Sequence, residues 1–324
     1  MRMCWVGRAG LAVALMLPGA GAAQVVTRVE LDNDSFNFWQ APKVRADREY
    51  SQGTRITLLR PSASPFVRRL MGGSDHCRSD DGIAHDCRMV SWAITQAIYT
   101  PTLSDARRQP GERPFAGWLG AEAGAQRERA NGLRAFALSV GVVGPASMAE
   151  PAQKAVHRLF NFQKPQGWEG QLPTEVAVLA SYRGAQDVLS LASERSGMRL
   201  LIAPVWTLQA GTVATDATIG VQGTLGFRAP APWRGATNLR GDRWSLYVRG
   251  GAQQTAVAHN LFLDGSTFTT SAHVTKHRFV AQRDLGLGVR SPIGVLEWQV
   301  HSRGKEYRMQ PRAHAYSTIT FALR

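Results

Sequence analysis

The residues best suited to chemistry are polar side chains that interrupt strongly apolar stretches of the chain. Asp32, Asn33 and Asp34 stand together in one such place, and their carboxylate and carbonyl oxygens are the ligands that a hard cation such as Ca²⁺ prefers. The same residues also favour a simple turn, because Asp and Asn side chains bond their own backbone. Ser51 and His157 lie in two further polar segments where the apolar pattern breaks. An imidazole can take a proton from water and return it, although an isolated histidine on a helix is more often a packing residue.

Several common catalytic classes lack their sequence motifs in this chain. It contains no Gly-x-Ser-x-Gly, His-Glu-x-x-His, Walker or Gly-x-Gly-x-x-Gly motif, so serine-hydrolase, zinc-protease and nucleotide-binding functions have no motif support. The 38 Lys and Arg residues against 24 Asp and Glu give a net charge of +14, which points to an anionic partner. Because the basic residues are not interleaved with aromatic ones, we expect a phosphorylated lipid rather than nucleic acid.

The first 23 residues predict a secretory signal peptide. Arg2 and Arg8 are followed by the apolar stretch 11–17 and a small-residue tail ending at Ala23, which is the order expected of such a signal. A transmembrane anchor is the alternative, but the tail is too small and flexible for a spanning helix. We therefore expect residues 24–324 to form one mature domain.

Two cysteines remain after the predicted cleavage. Cys77 and Cys87 lie close together in a polar stretch, where an oxidising compartment favours a disulfide bond. A zinc site formed with His76 and His85 is the alternative, although the usual Cys-x-x-Cys spacing is missing.

Alternation of apolar and polar residues with a period of two dominates the rest of the sequence. Phe136, Leu138 and Val140, for example, alternate with small or polar neighbours, which is typical of β-strands with two different faces. The pattern does not say which face is inside: a soluble sandwich buries its apolar face, whereas a transmembrane barrel turns it to lipid. The signal peptide and the alternating final stretch favour an all-β fold, a transmembrane antiparallel β-barrel.

The elements that must position the candidate residues are about twelve strands and one short helix. The helix is expected near residues 147–160, where apolar residues follow helical spacing after Pro145. The strands are expected near residues 25–31, 52–60, 91–99, 116–125, 135–143, 175–182, 200–210, 216–227, 244–256, 279–290, 295–302 and 316–323.

Four polar segments in the first half resemble a known enzyme family. They are Leu31–Phe36, Asp47–Gly53, Arg113–Trp118, and the region from Gly144 through Gln153 and His157 to Leu172. In order and spacing they resemble the outer-membrane lipid A 3′-O-deacylases of the LpxR type, over about residues 25–183. The resemblance implies a twelve-stranded barrel that hydrolyses the 3′ acyloxyacyl ester of lipid A in a calcium-dependent reaction.

The resemblance also implies roles for individual residues. Asn33 and Asp34 match the family's Asn-Asp pair and would bind Ca²⁺ and take part in catalysis. Ser51 matches a site hydroxyl, although it could be an ordinary serine at the barrel mouth. His157, one turn after Gln153, matches the catalytic histidine and would be the general base.

Two further roles are less direct. The family's acidic residue downstream of the histidine falls on Gln163, so Glu175 is the catalytic carboxylate we predict in its place. Asp47 is another possible carboxylate, although it could simply pair with Arg45 or Arg48. Arg113 could bind a lipid phosphate through two hydrogen bonds, or it could be a lumen-facing partner in an arginine ladder.

The sequence therefore predicts a calcium-assisted carboxylic ester hydrolase in the bacterial outer membrane. Its expected partners are lipid A or lipopolysaccharide and the membrane itself, with no nucleic acid, and we expect a monomer. A catalytically silent barrel, either a pore or a structural protein, is the alternative from another class. An outer-membrane phospholipase is a third possibility.

Overall fold

The computed structural model describes residues 25–37, 48–74, 86–101, 111–159, 161, 166–233 and 244–323. The predicted signal peptide lies outside these residues, as do Asp47, His76, Cys77, His85 and Gln163. Cys87 is disulfide-bonded, which agrees with the predicted bond and leaves no thiolate at this position for a zinc ion. Its predicted partner Cys77 is not among the described residues.

The described chain contains thirteen strands, and all twelve predicted strands are among them. The predicted centres are right, and the observed strands extend them by a few residues, because hydrogen-bond pairing continues past the alternating segments. The bounds are β1 Val26–Asn33, β2 Glu49–Pro61, β3 Asp86–Thr100, β4 Ala116–Arg129, β5 Gly132–Val143, β6 Glu175–Gln186, β7 Leu189–Ala192, β8 Met198–Gly211, β9 Ala214–Phe227, β10 Ser245–Asn260, β11 Phe279–Ser291, β12 Gly294–Arg303 and β13 His314–Leu323.

The strands form one closed antiparallel barrel. Apart from β6 and β7, consecutive strands pair with each other, and β1 also pairs with β13. β6 pairs with β8 along Leu179–Ala185, and the short β7 continues along β8 beyond them. The barrel therefore has twelve strands, with β7 as an extra strand that the sequence analysis missed. We call the end at which β1 finishes the upper end, and the opposite end, where β1 begins and β13 finishes, the lower end.

Three helices connect the strands among the described residues. They are α1, Pro65–Met71, at the lower end, and α2, Ala149–Leu159, and α3, Leu261–Asp264, at the upper end. The helix predicted near 147–160 is α2, and the sequence analysis missed α1 and α3. Within the described ranges, the helices are all too short or too polar to cross a membrane.

The structure decides which face of the strands is inside. Large apolar side chains point outward, such as Ile94, Leu138 and Ile219, which are 62%, 55% and 70% exposed. The polar side chains that alternate with apolar ones along the strands line the interior. Arg28 and Glu30 on β1 are examples. An apolar outer wall around a polar interior is the arrangement of a barrel that crosses a lipid bilayer.

The barrel interior is filled at both ends. At the lower end, Ala229, Ala231 and Trp233 fold inward after β9 and pack against Tyr247 and other buried side chains. At the upper end, Phe262 of α3 joins an apolar cluster. Between the two layers lies a polar cavity of about 630 Å³.

Candidate functional site

The upper end of β1 carries the predicted Asn-Asp pair in a tight turn. Asn33 caps a 3-10 turn, Asp34–Phe36, and its side-chain oxygen accepts a hydrogen bond from the Ser35 amide at 2.8 Å. Asp34 is buried, and its Oδ2 accepts a hydrogen bond from the Arg48 amide at 3.2 Å. The turn expected of these residues is therefore formed, and it presents carboxylate and carbonyl oxygens close to one another.

Ser51 lies beside this turn, near the start of β2. The register of β2 against β3 shifts between Tyr50 and Gln52, so Ser51 occupies a β-bulge, a device that re-aims side chains. Its buried hydroxyl is 2.5 Å from the hydroxyl of Thr100, at the end of β3. The site hydroxyl predicted from sequence is thus held in one position by a neighbouring strand.

His157 lies on the buried face of α2. Ala149, Gln153 and His157 are buried at intervals of four residues, so they share one side of the helix. Trp168 donates a hydrogen bond from Nε1 to Gln153 Oε1 at 2.9 Å, and its ring packs 4.9 Å from that of Phe115. The imidazole is therefore on the side of α2 that faces the protein.

Neighbouring strands bring these residues to one sector of the upper end. Strands β1, β2, β3 and β4 lie side by side, with Asn33 at the end of β1 and Ser51 near the start of β2. α2 contacts β3 and β4, and Gln96 of β3 donates a hydrogen bond to the Ser147 carbonyl just before the helix, at 2.9 Å. A turn rich in oxygen ligands, a buried hydroxyl and a buried imidazole thus share the mouth of the barrel.

Arg113 has a different environment from the lipid-binding one predicted for it. The side chain is fully buried, and Nη1 lies 3.2 Å from both Glu49 Oε2 and Glu306 Oε2. Burial lowers the pKa of Arg113, but the charges of Glu306 and Glu49 outweigh this, and the pKa lies above its ordinary value. Its guanidinium also lies over the ring of Tyr99, 4.7 Å from the centroid. Arg113 is therefore an internal ion-pair partner of two acids, and the arginine ladder given as its alternative is not what surrounds it.

The carboxylate of Glu175 contacts the loop that follows α3. Its Oε2 accepts hydrogen bonds from the Ser266 hydroxyl and the Thr267 amide, the latter at 3.0 Å. Its Oε1 accepts one from the Thr267 hydroxyl at 3.0 Å. Both carboxylate oxygens thus anchor the loop after α3, and the catalytic role predicted for Glu175 stays a prediction.

Glu49 and Glu306 were missed by the sequence analysis. Glu49 has a φ of 60°, in the left-handed region that non-glycine residues seldom adopt, and it accepts a hydrogen bond from Tyr307 at 2.8 Å. The polar segment Asp47–Gly53 contains Glu49 and could have drawn attention to it. No sequence motif surrounds Glu306. These buried acids connect the loops of the upper end through Arg113.

The side-chain oxygens of Asn33 and Asp34 are of the chemical type that calcium binds. Carboxylate and amide oxygens are the hard donors that Ca²⁺ takes, and Asp34 supplies a negative charge in a buried position. Among the described residues there is no cluster of three or more His, Cys, Asp or Glu side chains that could hold a metal ion. Calcium at this turn would therefore need backbone carbonyls, water or substrate to complete its six to eight ligands.

The closed barrel with an apolar outer wall defines the protein as an outer-membrane β-barrel. The family model of the outer membrane protein LpxR matches residues 9–324, and the chain belongs to this family. LpxR from Salmonella typhimurium has a similar structure, with a TM-score of 0.72 and 17% sequence identity over 92% of this chain and 99% of that one.

Other solved barrels are much less similar. The β domain of the Bordetella autotransporter BrkA has a TM-score of 0.44 and 9% identity over 92% of this chain and 97% of its own. A comparison with curated proteins finds no match. The family and the fold place the protein in the bacterial outer membrane.

Proposed function

We propose that this protein is a lipid A deacylase that hydrolyses the 3′ acyloxyacyl ester with His157 as general base and calcium as cofactor. The observation that carries the proposal is the shared position of His157, Ser51 and the Asn33–Asp34 turn at the upper ends of neighbouring strands, in a chain of the LpxR family. The upper end also bears the longest connection between consecutive strands, residues 144–174, in which α2 lies. In bacterial barrels the longer loops face outward, so this sector would meet the outer leaflet, where lipid A resides.

Ester hydrolysis needs a base, a stabilised oxyanion and a proton for the leaving group. The imidazole of His157 takes a proton from water as the water oxygen attacks the ester carbonyl. The same proton then passes to the leaving alkoxide, so that the products are a free acid and an alcohol. Burial on the inner face of α2 restricts the imidazole to one orientation, which favours proton transfer at a fixed atom.

The other residues bind and orient. Asp34 and Asn33 would hold calcium, which supplies positive charge near the carbonyl oxygen on which negative charge develops. The hydroxyl of Ser51, fixed by Thr100, would hold the substrate or the ion rather than act as the nucleophile. The cationic composition of the chain, +14 overall, would favour the phosphorylated headgroup of lipid A.

Mass spectrometry of lipid A incubated with the refolded barrel tests this proposal. We expect loss of the 3′ acyloxyacyl group with calcium and no loss with chelator. His157→Ala should reduce the rate by about 100-fold or more, the usual contribution of a general base. His273→Ala is the matched control, because His273 is exposed on an upper loop.

Two results would contradict the proposal in different ways. Intact lipid A under every condition, with a folded barrel, would favour a catalytically silent barrel. Release of fatty acid from glycerophospholipid but not from lipid A would favour an outer-membrane phospholipase.

A further inference from the structure

A chain of hydrogen bonds crosses five strands inside the barrel, directly beneath the candidate site. Asp284 of β11 lies 2.6 Å from His301 Nδ1, and His301 Nε2 lies 2.9 Å from the Thr318 hydroxyl. Thr318 donates to Asp32 Oδ1 at 2.7 Å, and the hydroxyl of Tyr50 donates to Asp32 Oδ2 at 2.5 Å. Both oxygens of the Asp32 carboxylate are therefore bonded, one from β13 and one from β2.

The hydroxyl of Tyr50 is held in this position by its surroundings. Its ring lies between those of Tyr99, 5.4 Å away, and Tyr316, 4.9 Å away and nearly perpendicular. Its backbone carbonyl is 3.0 Å from His314 Nε2. The side chain and the backbone of this one residue are thus both fixed, and its hydroxyl is directed at Asp32.

Gly53 makes room for the contact. A Cβ atom at position 53 would lie 1.8 Å from the Tyr50 hydroxyl and 2.8 Å from Asp32 Oδ2, so these groups would have to move apart. Gly53 is paired with Asp32 in the register of β1 and β2. A residue without a side chain is therefore required where the hydrogen bond crosses from one strand to the other.

The bond joins the two backbone positions next to the candidate site. Asp32 immediately precedes Asn33 and Asp34, and Tyr50 immediately precedes Ser51, which lies in the bulge of β2. The contact between these two side chains holds the backbone of both strands in place just before the turn and the bulge. A displacement at Asp32 or Tyr50 would pass directly to the predicted ligands and hydroxyl.

We propose that Asp32 and Tyr50 are positioning residues of the candidate site, which hold the Asn33–Asp34 turn and Ser51 in register from inside the barrel. This inference rests on the proposed function for its catalytic consequence. Neither residue contacts the substrate in this scheme. Their interaction sets the separation of the strand ends on which the reacting groups are mounted.

The test compares Tyr50→Phe with Tyr316→Phe in the full refolded barrel. Both changes remove one hydroxyl from the same layer of interior tyrosines. The Tyr50 hydroxyl donates to Asp32, whereas the two bonds to the Asp32 carboxylate among the described residues do not involve Tyr316. We expect Tyr50→Phe to lower kcat for lipid A by about tenfold to 100-fold with KM little changed, since a misplacement of about 1 Å can cost that much. Tyr316→Phe should keep the wild-type kcat.

Hydrogen exchange measured by mass spectrometry supplies a readout that does not need activity. We expect faster exchange in Tyr50→Phe at residues 33–37 and 48–53, with the other strands unchanged, and no such local change in Tyr316→Phe. Gly53→Ala is a second variant that displaces the same hydroxyl and should give the same local pattern. Asp32→Ala combined with Tyr50→Phe should lower kcat little more than Asp32→Ala alone, because Asp32→Ala already removes the acceptor of the Tyr50 hydrogen bond.

The outcomes separate this inference from the proposed function. If wild-type protein does not deacylate lipid A, the proposed function fails, and the exchange comparison alone decides the positioning role. If Tyr50→Phe retains both wild-type kcat and wild-type exchange, or if Tyr316→Phe has the same defects, the positioning role is overturned.

Discussion

Trp168 and Gln153 are joined by a hydrogen bond of 2.9 Å between the indole Nε1 and the amide Oε1. The bond ties the chain after α2 to the helical face on which His157 lies. Because Gln153 and His157 are one turn apart, this contact fixes the rotation of the helix about its axis. The orientation of the predicted base thus depends on an indole that makes no contact with substrate in the proposed reaction.

Trp168→Phe should therefore reduce both stability and activity. The phenyl ring keeps an aromatic group beside Phe115 but is smaller than the indole, and it removes the donor to a buried amide oxygen, a loss that costs about 1–3 kcal/mol. We expect a lower unfolding temperature, measured by circular dichroism, and a loss of deacylation of tenfold or more. Trp92→Phe is the control, because Trp92 is 43% exposed on the outer wall. Equal effects of the two substitutions would contradict the role of the indole donor.

Substitutions at Ser51 and Thr100 can separate a role of the Ser51 hydroxyl in binding substrate or calcium from its role in stability. Thr100→Val keeps the shape but leaves the Ser51 hydroxyl without its partner, which should cost about 1 kcal/mol of stability. Ser51→Ala removes the hydroxyl itself and should lower deacylation at least tenfold further if that hydroxyl holds substrate or calcium. The comparison is made from kcat and KM with purified lipid A. Activity of Ser51→Ala equal to that of Thr100→Val would show that the hydroxyl has only a structural role.

The buried acid Glu306 should make stability dependent on pH. Burial raises its pKa, but the charges of Arg303 and Arg113 outweigh this and place the pKa below the ordinary value of 4.5. A carboxyl whose folded pKa is lowered stabilises the fold above its unfolded pKa, and that contribution is lost as pH falls through the folded value. Wild-type unfolding temperature should therefore drop below about pH 4.5.

Glu306→Gln should flatten this acid dependence while lowering stability at neutral pH. The reason is that Arg113 and Arg303 lose a buried partner, a change that typically costs about 3–5 kcal/mol. Glu150→Gln on α2 is the control, since Glu150 pairs with Lys154 on the surface and such pairs contribute little. An unchanged acid dependence in Glu306→Gln would show that other groups control it.

The packed interior predicts that the protein is not a pore. Trp233 and its neighbours fill the lower end, where Arg249 donates a hydrogen bond to the Pro232 carbonyl and pairs with Glu297 at 3.0 Å. Phe262 stacks on Tyr99 at the upper end, with ring centroids 4.2 Å apart. We expect no stepwise conductance in planar bilayers, with an open porin as positive control. Stable channel openings would support the alternative of a conducting barrel.

The strands could be predicted from sequence because their signal is local. Alternation with a period of two was enough to find all twelve barrel strands, and the helical spacing after Pro145 was enough to find α2. The extra strand β7 was missed because its four residues are all exposed and it is defined only by its pairing with β8. The four-residue helix α3 is similarly too short for a periodic pattern.

The candidate site was predictable only in its residue types. Asn33, Asp34, Ser51 and His157 stand in motifs that resemble a family, and the structure puts their elements side by side. The environments of Arg113 and Glu175 could not be predicted in this way. Their partners lie far away in sequence: Glu306 is 193 residues from Arg113, and Thr267 is 92 residues from Glu175.

By itself the sequence determined the twelve barrel strands, the helix α2 and the chemical types available at the breaks in the pattern, and it predicted an export signal, because each depends on residues close together in the chain. Only the tertiary structure decided which face of the strands meets lipid, how both ends of the interior are filled, and that Asp32 and Tyr50 meet beneath the Asn33–Asp34 turn. Those features depend on closing a sheet whose first and last strands are nearly 300 residues apart. Closure fixes which side chains share the interior, and no local pattern contains that information.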